Sequence, residues 1–589
     1  MTLIAKLLRR PRPAVHCLMA CAFVIALSSC VTQPHLPPMP EVAAPRPQDS
    51  VPLGNARSFP EAKLDLDIAS GPFAPSWESI ETNYPGVPDW LREAKFGIWV
   101  HFGPQASGQS GDWYARNLYK QGHAAYQNHL KNFGHPSEVG YKEVLRAWNP
   151  TNLNPAALSQ SYKEAGARFL IIQGVHHDNF DLWDSRHHPW NSTRLGPKRN
   201  LLAEWAKAAR SEGMRYGVTF HHEYTWYWWQ TAFGSDKDGP KAGVPYDAHL
   251  TLADGKGKWW EGLDPRLLYG IDLREYEGVA RAAAGPWNVP ASGIFTNHLR
   301  YAEWYATQWA LRMMDVIDGY DPDFIYTDGT STQPFSGSGT GSGYKCDAMQ
   351  RVIAHFYNQA LARRGKVDTF SIVKFRPKNN GTVNTEEHGI PAQIKTDQPW
   401  IAEAPVGDWY YSPGFTYDSG MVIRYVIEAV AKDGNAAVCV SLLPDGSLDE
   451  GSQRMLKEVG VWMRRNGEAI YGSRAWRVAG EGNTDGGRLK MLPGGKLGRR
   501  HAEFQFGPTD FRFTLGKDGA VYAFCMAVPE PGARLNIKTL GSNASQRVRS
   551  VKMLGHDGPL DWRQESDGLT VTCPPQMPFA TSVVFRIEL

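Results

Sequence analysis

The sequence predicts an α/β chain, a (β/α)8-type barrel followed by an antiparallel β-sandwich, and three observations carry that prediction. Between about Trp77 and Gly472 short apolar runs alternate with longer helical patterns, the signal of a parallel sheet wrapped by helices. Polar clusters stand directly after two of those runs: His176-His177-Asp178-Asn179-Phe180-Asp181-Leu182-Trp183 after Phe169 to Val175, and Asp328-Gly329 after Phe324 to Thr327. A parallel barrel displays its chemistry at such strand ends. Beyond Ser473 short Val, Phe and Leu-rich runs are separated by Gly, Pro and Asp, which reads as an antiparallel sandwich over 473–589.

Six barrel strands are visible, Phe96 to Val100, Phe169 to Gln173, Tyr216 to Phe220, Phe324 to Thr327, Thr369 to Val373 and Ala436 to Leu442. Eight would close a barrel, so closure is an inference. Helical patterns fall at Ala156 to Ala165, Leu201 to Ser211, Tyr301 to Ile317, Cys346 to Arg363, Met421 to Lys432 and Gln453 to Arg465. In the second domain, Phe511 to Leu515, Val521 to Met526, Arg534 to Ile537 and Ser582 to Ile587 read as strands.

Residues 1–29 read as an export signal. Basic residues at Lys6, Arg9, Arg10 and Arg12 precede an apolar stretch from about Ala14 to Leu27, too short for a permanent membrane span. Leu27-Ser28-Ser29-Cys30 is similar to a bacterial lipobox, which implies cleavage before Cys30 and lipidation of its thiol; Val31 after it points to outer-membrane sorting. Residues 30–76 are a proline-rich tether and lead-in. Of the 63 basic residues four lie in the leader, leaving 59 against 60 acidic ones, so no electrostatic case for nucleic acid exists. Cys346, Cys439, Cys525 and Cys573 remain after processing, without Cys-x-x-Cys spacing; a Cys525–Cys573 bridge is one option in an oxidising compartment. The 21 Trp and 24 Tyr suit either a sugar-gripping surface or an aromatic core.

Several segments resemble the α-L-fucosidases of glycoside hydrolase family 29. That family carries His-His-Asp-Gly-Phe and a nucleophile in Trp-Phe-Asp-Gly, beside His-His-Asp-Asn-Phe (176–180) and Tyr326-Thr327-Asp328-Gly329 here. The run Trp90 to Gly103 resembles the family's opening strand, which ends in a sugar-contacting His, and Gly111-Asp112-Trp113-Tyr114 stands where Glu-Trp-Tyr is usual. Gly434-Asn435-Ala436 through Gly446, and Asn466-Gly467-Glu468-Ala469-Ile470-Tyr471-Gly472, extend the match. The resemblance implies an exo-acting, retaining α-L-fucosidase with Asp328 as nucleophile and His101, Asp112, Trp113, His176, His177 and Trp400 at the sugar. Glu387, in Thr385-Glu386-Glu387-His388-Gly389 upstream of Trp400, takes the acid/base role in matching register, with Glu386 and Glu403 as alternatives; Trp400-Ile401-Ala402-Glu403 departs from the family's Trp-Glu.

Such chemistry needs one carboxylate at the anomeric carbon and a second carboxyl to protonate the departing oxygen, and it requires no cofactor. Neutral imidazole suits the hydroxyls, offering one donor and one acceptor. Taken alone, His176, His177, His221 and His222 with Asp178 and Glu223 also suggest a metal-dependent hydrolase, and the altered motifs leave room for a non-catalytic glycan-binding lipoprotein. Trp226 to Trp229 and Trp259-Trp260 enclose a long excursion, read either as glycan subsites or as a pinned surface loop. The expected partners are a fucosylated glycan and, through the lipid, a membrane.

Overall fold

The computed structural model describes residues 38–41, 62–223, 225–272, 299–328, 346–374, 380–387, 389–415, 418–482 and 506–589. The leader, Cys30, Gly329, His388 and most of the tether lie outside them. Eight parallel strands form one sheet: β1 (Phe96–Val100), β2 (Phe169–Val175), β3 (Arg215–Phe220), β4 (Phe324–Thr327), β5 (Phe370–Val373), β6 (Asn384–Glu387), β7 (Trp400–Pro405) and β8 (Asn435–Cys439). Their order is β5-β4-β3-β2-β1-β8-β7-β6, and a parallel bridge from Ile372 to Val383, with Val383 N–H donating to the Ser371 carbonyl at 2.9 Å, closes the ring.

The six strands read from the sequence are present, and β6 and β7 complete them. Both escaped the reading for a physical reason. β6 is Asn-Thr-Glu-Glu, with no apolar residue and every position half-buried; β7 contains Glu403 and ends in Pro405, although all six of its residues are buried. Glu387 therefore sits at a strand end and not in a free loop.

Helices Pro155–Glu164, Leu201–Ser211, Leu299–Tyr320, Ala348–Arg364, Ser419–Ala431 and Glu450–Asn466 wrap the sheet. Their starts follow the sequence: Asn154, Asn200 and Asp449 each accept a first-turn backbone N–H with a side-chain oxygen, and Pro155 occupies a position that needs no donor. The stretch from residue 62 packs on the barrel, with Leu64, Leu66 and Phe73 buried and Leu64 and Phe73 N–H groups donating to Asp347 and Asn358.

After β8 the chain forms a five-stranded antiparallel sheet, order β13-β16-β11-β10-β9, facing a three-stranded one, β12-β15-β14. Their ranges are β9 Arg474–Glu481, β10 Phe511–Leu515, β11 Val521–Cys525, β12 Arg534–Ile537, β13 Ser550–Met553, β14 Trp562–Gln564, β15 Leu569–Thr572 and β16 Val583–Glu588. Phe511, Phe513, Phe585, Leu535 and Val571 fill the space between them. Cys525 and Cys573 belong to this core and are both free thiols, as are Cys346 and Cys439. The sandwich is keyed to the barrel by a buried pair, Arg512 Nε donating to Glu428 Oε1 at 2.7 Å.

Candidate active site

Because all eight strands run the same way, their C-terminal ends share one rim, and residues at or near the ends of seven of them, β1 to β7, face one cavity of about 1040 Å³. His101 follows β1, His176 and His177 follow β2, His221 follows β3, Asp328 follows β4 and Lys374 follows β5; Glu387 ends β6 and Glu403 lies near the end of β7.

The imidazoles are held neutral. Burial drives His101 and His176 far below the usual histidine range, and burial brings His177 and His221 down to about 3. Hydrogen bonds fix their tautomers. Trp99 Nε1–H donates to His101 Nδ1 at 3.1 Å, so the His101 proton resides on Nε2, which has no partner among the described residues. Gln105 Oε1 accepts from the Ala115 N–H, which turns Gln105 Nε2 toward His176 Nδ1 at 2.6 Å and again puts the proton on Nε2, 3.5 Å from Asp112 Oδ1. His177 is the reverse: its Nδ1 donates to the His221 carbonyl at 2.8 Å, leaving an Nε2 lone pair 3.7 Å from Asp328 Oδ2. These three rings thus offer two N–H donors and one nitrogen acceptor, and His221, whose Nδ1 donates to the Val175 carbonyl at 3.3 Å, is a second ring with its proton on Nδ1.

Charge is gathered on the other side. Lys374 Nζ donates to Asp328 Oδ1 at 2.5 Å and pairs with Glu387 Oε2 at 2.7 Å, so those two oxygens are no more than 5.2 Å apart. Burial raises Asp328 above the ordinary carboxylate range while the Lys374 ammonium pulls it back down. Glu403 accepts from Tyr326 Oη at 2.9 Å through Oε1; its Oε2 has no hydrogen-bond partner among the described residues, and burial pushes the group up to about 8.

A second layer holds this set in place. Tyr141 Oη donates to Asp178 Oδ2 at 2.5 Å, and burial raises Asp178 to about 7. Asn179 stands where the family has Gly, and its φ of +62° explains the exchange, since Asn is among the few side chains that tolerate the left-handed region. Its amide then works as a hub, donating to the Leu267 and Leu268 carbonyls and accepting from Arg312. Trp113 adopts φ +67° beside His177, a conformation that costs a bulky residue on the order of 1–2 kcal/mol. Asp112 caps it, accepting from the Trp113 N–H at 3.0 Å, and burial together with Asp408 raises the Asp112 carboxyl.

His101, Asp112, Trp113, His176, His177, Asp328 and Glu387 all line the cavity; Trp400 does not. It starts β7, at the opposite rim, where its ring packs against Gly434 and its Nε1 donates to the Lys395 carbonyl. Trp409 lines the cavity instead, 5.3 Å from the His101 ring. The two histidine pairs do not converge on a metal. His222 stacks on Trp309 away from the cavity, and Asp178 is occupied by Tyr141. Among the described residues the group close enough to hold an ion is His101, Asp112 and His176, within 4.8 Å. Both of its rings already use Nδ1 as an acceptor and so point a protonated Nε2 inward, which is the wrong state for a ligand. Lys374 and Trp409 were missed by the sequence reading, although Lys374 follows an apolar strand just as Asp328 does.

A parallel barrel whose rim brings carboxyls and neutral imidazoles to one cavity has the architecture of a glycoside hydrolase. The chain belongs to the α-L-fucosidase family, glycoside hydrolase family 29: the family profile matches residues 62–468 and the profile of its C-terminal domain matches residues 508–588. Tissue α-L-fucosidase of Rattus norvegicus is 24% identical over 525 residues, 87% of this chain and 91% of its own length, and the Homo sapiens counterpart is 23% identical over 530 residues, 87% and 90%. The α-fucosidase of Thermotoga maritima superposes with a TM-score of 0.61 at 20% identity over 88% of this chain and 100% of its own, and that enzyme has also been solved with fucose. A Bacteroides thetaiotaomicron α-L-fucosidase gives 0.52 at 16%, over 90% and 98%. At these identities the structural likenesses speak for the fold.

Proposed function

We propose that this protein is an exo-acting α-L-fucosidase that releases terminal α-L-fucose from glycans by a retaining double displacement. The observation that carries the reading is Lys374 Nζ seated between Asp328 and Glu387, which bounds their facing oxygens at 5.2 Å. Retaining glycosidases hold their carboxyls ~5–5.5 Å apart, and inverting ones need ~6.5–9.5 Å to admit a water.

In the first step Asp328 Oδ attacks the anomeric carbon, the bond to the aglycone oxygen breaks, and that oxygen takes a proton from the acid. In the second, the same residue accepts a proton from water, the water oxygen attacks the anomeric carbon, and Asp328 is released as carboxylate. The Lys374 ammonium favours ionised Asp328, as a nucleophile requires. His101 and His176 donate to sugar oxygens through Nε2–H, and His177 accepts a hydroxyl proton beside the nucleophile, while Trp113 and Trp409 offer aromatic faces.

Glu387 is the acid/base in this reading. A second assignment is favoured by one observation: Glu403, raised to about 8, is the carboxyl that stays protonated at neutral pH. Azide separates the two, because a small anion rescues turnover of an activated fucoside when the acid/base has been truncated. Rescue in Glu387→Ala and none in Glu403→Ala supports Glu387, and the opposite pattern moves the role to Glu403.

The activity itself is tested by hydrolysis of an aryl α-L-fucoside by residues 31–589, with and without excess chelator. Turnover that survives chelation supports the reading; fucose binding by folded protein without turnover would favour a glycan-binding lipoprotein. We further propose export and lipidation at Cys30, resting on the leader sequence and tested by labelling wild type and Cys30→Ala with a tagged fatty acid. Label on both variants, or on neither, would defeat it.

A further inference from the structure

The cavity is much larger than a single fucose requires: about 1040 Å³ lies at the top of the ~300–1,000 Å³ range that buries ligands several times the size of one pyranose. Trp226, one of the tryptophans expected to extend it, has a side chain outside the described residues, and the others do not extend it. Trp228, Trp229 and Trp260 are buried and line no part of it, and Trp259 lies under Arg146. Its outer wall is instead the turn at Gln109 and Ser110 together with Asn117 and the helix Ala124–Asn132, which brings His123, Asn128 and Asn132.

The chemistry of this wall is uniform. Every one of those six side chains is an amide, a hydroxyl or an imidazole, and burial together with Lys120 keeps His123 below its usual range and so uncharged. Asn132 Nδ2 donates to Asn128 Oδ1 at 2.7 Å, and Asn128 Nδ2 donates to Ser110 Oγ at 3.0 Å. Asn128 Nδ2 also donates to the Gly108 carbonyl, so Asn128 anchors the chain, and Asn132 Oδ1 and the second Asn132 amide proton are left outside it. Asn117 Oδ1 is buried with no partner among the described residues, an acceptor waiting for a donor. Among the described lining residues the one lysine or arginine is Lys374, which Asp328 and Glu387 hold at the cavity floor.

We propose that this asparagine-lined wall is the subsite for the glycan that bears the fucose, built for hydroxyl-rich oligosaccharides. Amides offer donors and acceptors in equal measure to sugar hydroxyls. The inference rests on the fucosidase reading above.

The test compares two substrates, an aryl α-L-fucoside and a neutral fucosylated tetrasaccharide, with wild type, Asn132→Leu and Asn128→Ala. In each variant, kcat/KM on the tetrasaccharide should fall about tenfold further than on the aryl fucoside. Equal losses on both substrates, or no loss on the tetrasaccharide, would overturn the subsite while leaving the fucosidase intact. A wild type that turns over no fucoside at all would remove the underlying reading, and this one with it.

Discussion

The two sides of the barrel rim contribute opposite kinds of chemistry. The ends of β1 to β3 carry His101, His176, His177 and His221, all buried and all kept neutral, whereas the ends of β4 to β7 carry Asp328, Lys374, Glu387 and Glu403. In the proposed function the difference is one of task. Recognition of hydroxyls needs fixed donors and acceptors that do not change with pH, and cleavage of an acetal needs groups whose proton occupancy changes within each turnover. Substitutions on the two sides should therefore produce different kinetic signatures.

The largest effect belongs to the charged side. Asp328→Asn and Asp328→Gly should each lower kcat by at least about 10³-fold in steady-state assays, because both remove the nucleophile of the proposed mechanism. Next comes Lys374→Met, with kcat falling by about 10² and KM nearly constant. Since Lys374 lowers the Asp328 pKa, its loss should raise that pKa and move the acid limb of the kcat/KM–pH profile upward, while Lys374→Arg keeps the limb near its wild-type position. A profile that does not move in Lys374→Met would break the proposed division between the two sides.

On the neutral side, His101→Ala and His176→Ala should each reduce kcat/KM by roughly 10- to 100-fold, the loss expected when one partner of a buried hydrogen bond is removed. Their pH profiles should keep the wild-type shape, because these rings are uncharged across the working range. Smaller again is an effect on stability. Glu403 titrates at about 8 in the fold and near the ordinary 4.5 when unfolded, so between those values the native state holds a proton that the unfolded state lacks. Stability then falls as pH rises through that window, by up to about 1.4 kcal/mol per pH unit from this group, and is fully present below it. Denaturant titrations at pH 5 and pH 8 should show a smaller fall for Glu403→Gln than for wild type. Trp400→Phe should leave kcat/KM within about twofold of wild type and cost about 1–2 kcal/mol of stability through lost packing at the lower rim.

The same contrast explains what could be read from the chain alone. β8 is legible as an apolar run alone, whereas β1 to β5 are apolar runs that end in polar residues, and that transition marks both the strand and the group it presents, which is why His101, His176, His177 and Asp328 were legible. β6 has no apolar residue to reveal it, because its neighbours in the closed ring and not its own burial hold it in place, and β7 hides behind Glu403 and Pro405. Glu387 could be placed only by its likeness to a family motif. Trp400 shows the limit of that route: the motif locates the strand, but Trp400 begins β7 and so faces the wrong rim, while Trp409, beyond the end of the strand, reaches the cavity. The asparagine wall is spread over a turn, the end of the helix Tyr114–Asn117 and the helix Ala124–Asn132, so no single apolar run points to it.

The account depends most on a covalent bond between fucose and Asp328. Wild-type protein should be treated with a 2-deoxy-2-fluoro-fucosyl fluoride, which slows the second displacement more than the first, then digested and its peptides weighed. The account predicts a single added fluorofucosyl mass on the peptide containing Asp328. A label on Glu387, Glu403 or any other residue, or complete turnover to the inverted sugar with no adduct, would contradict it.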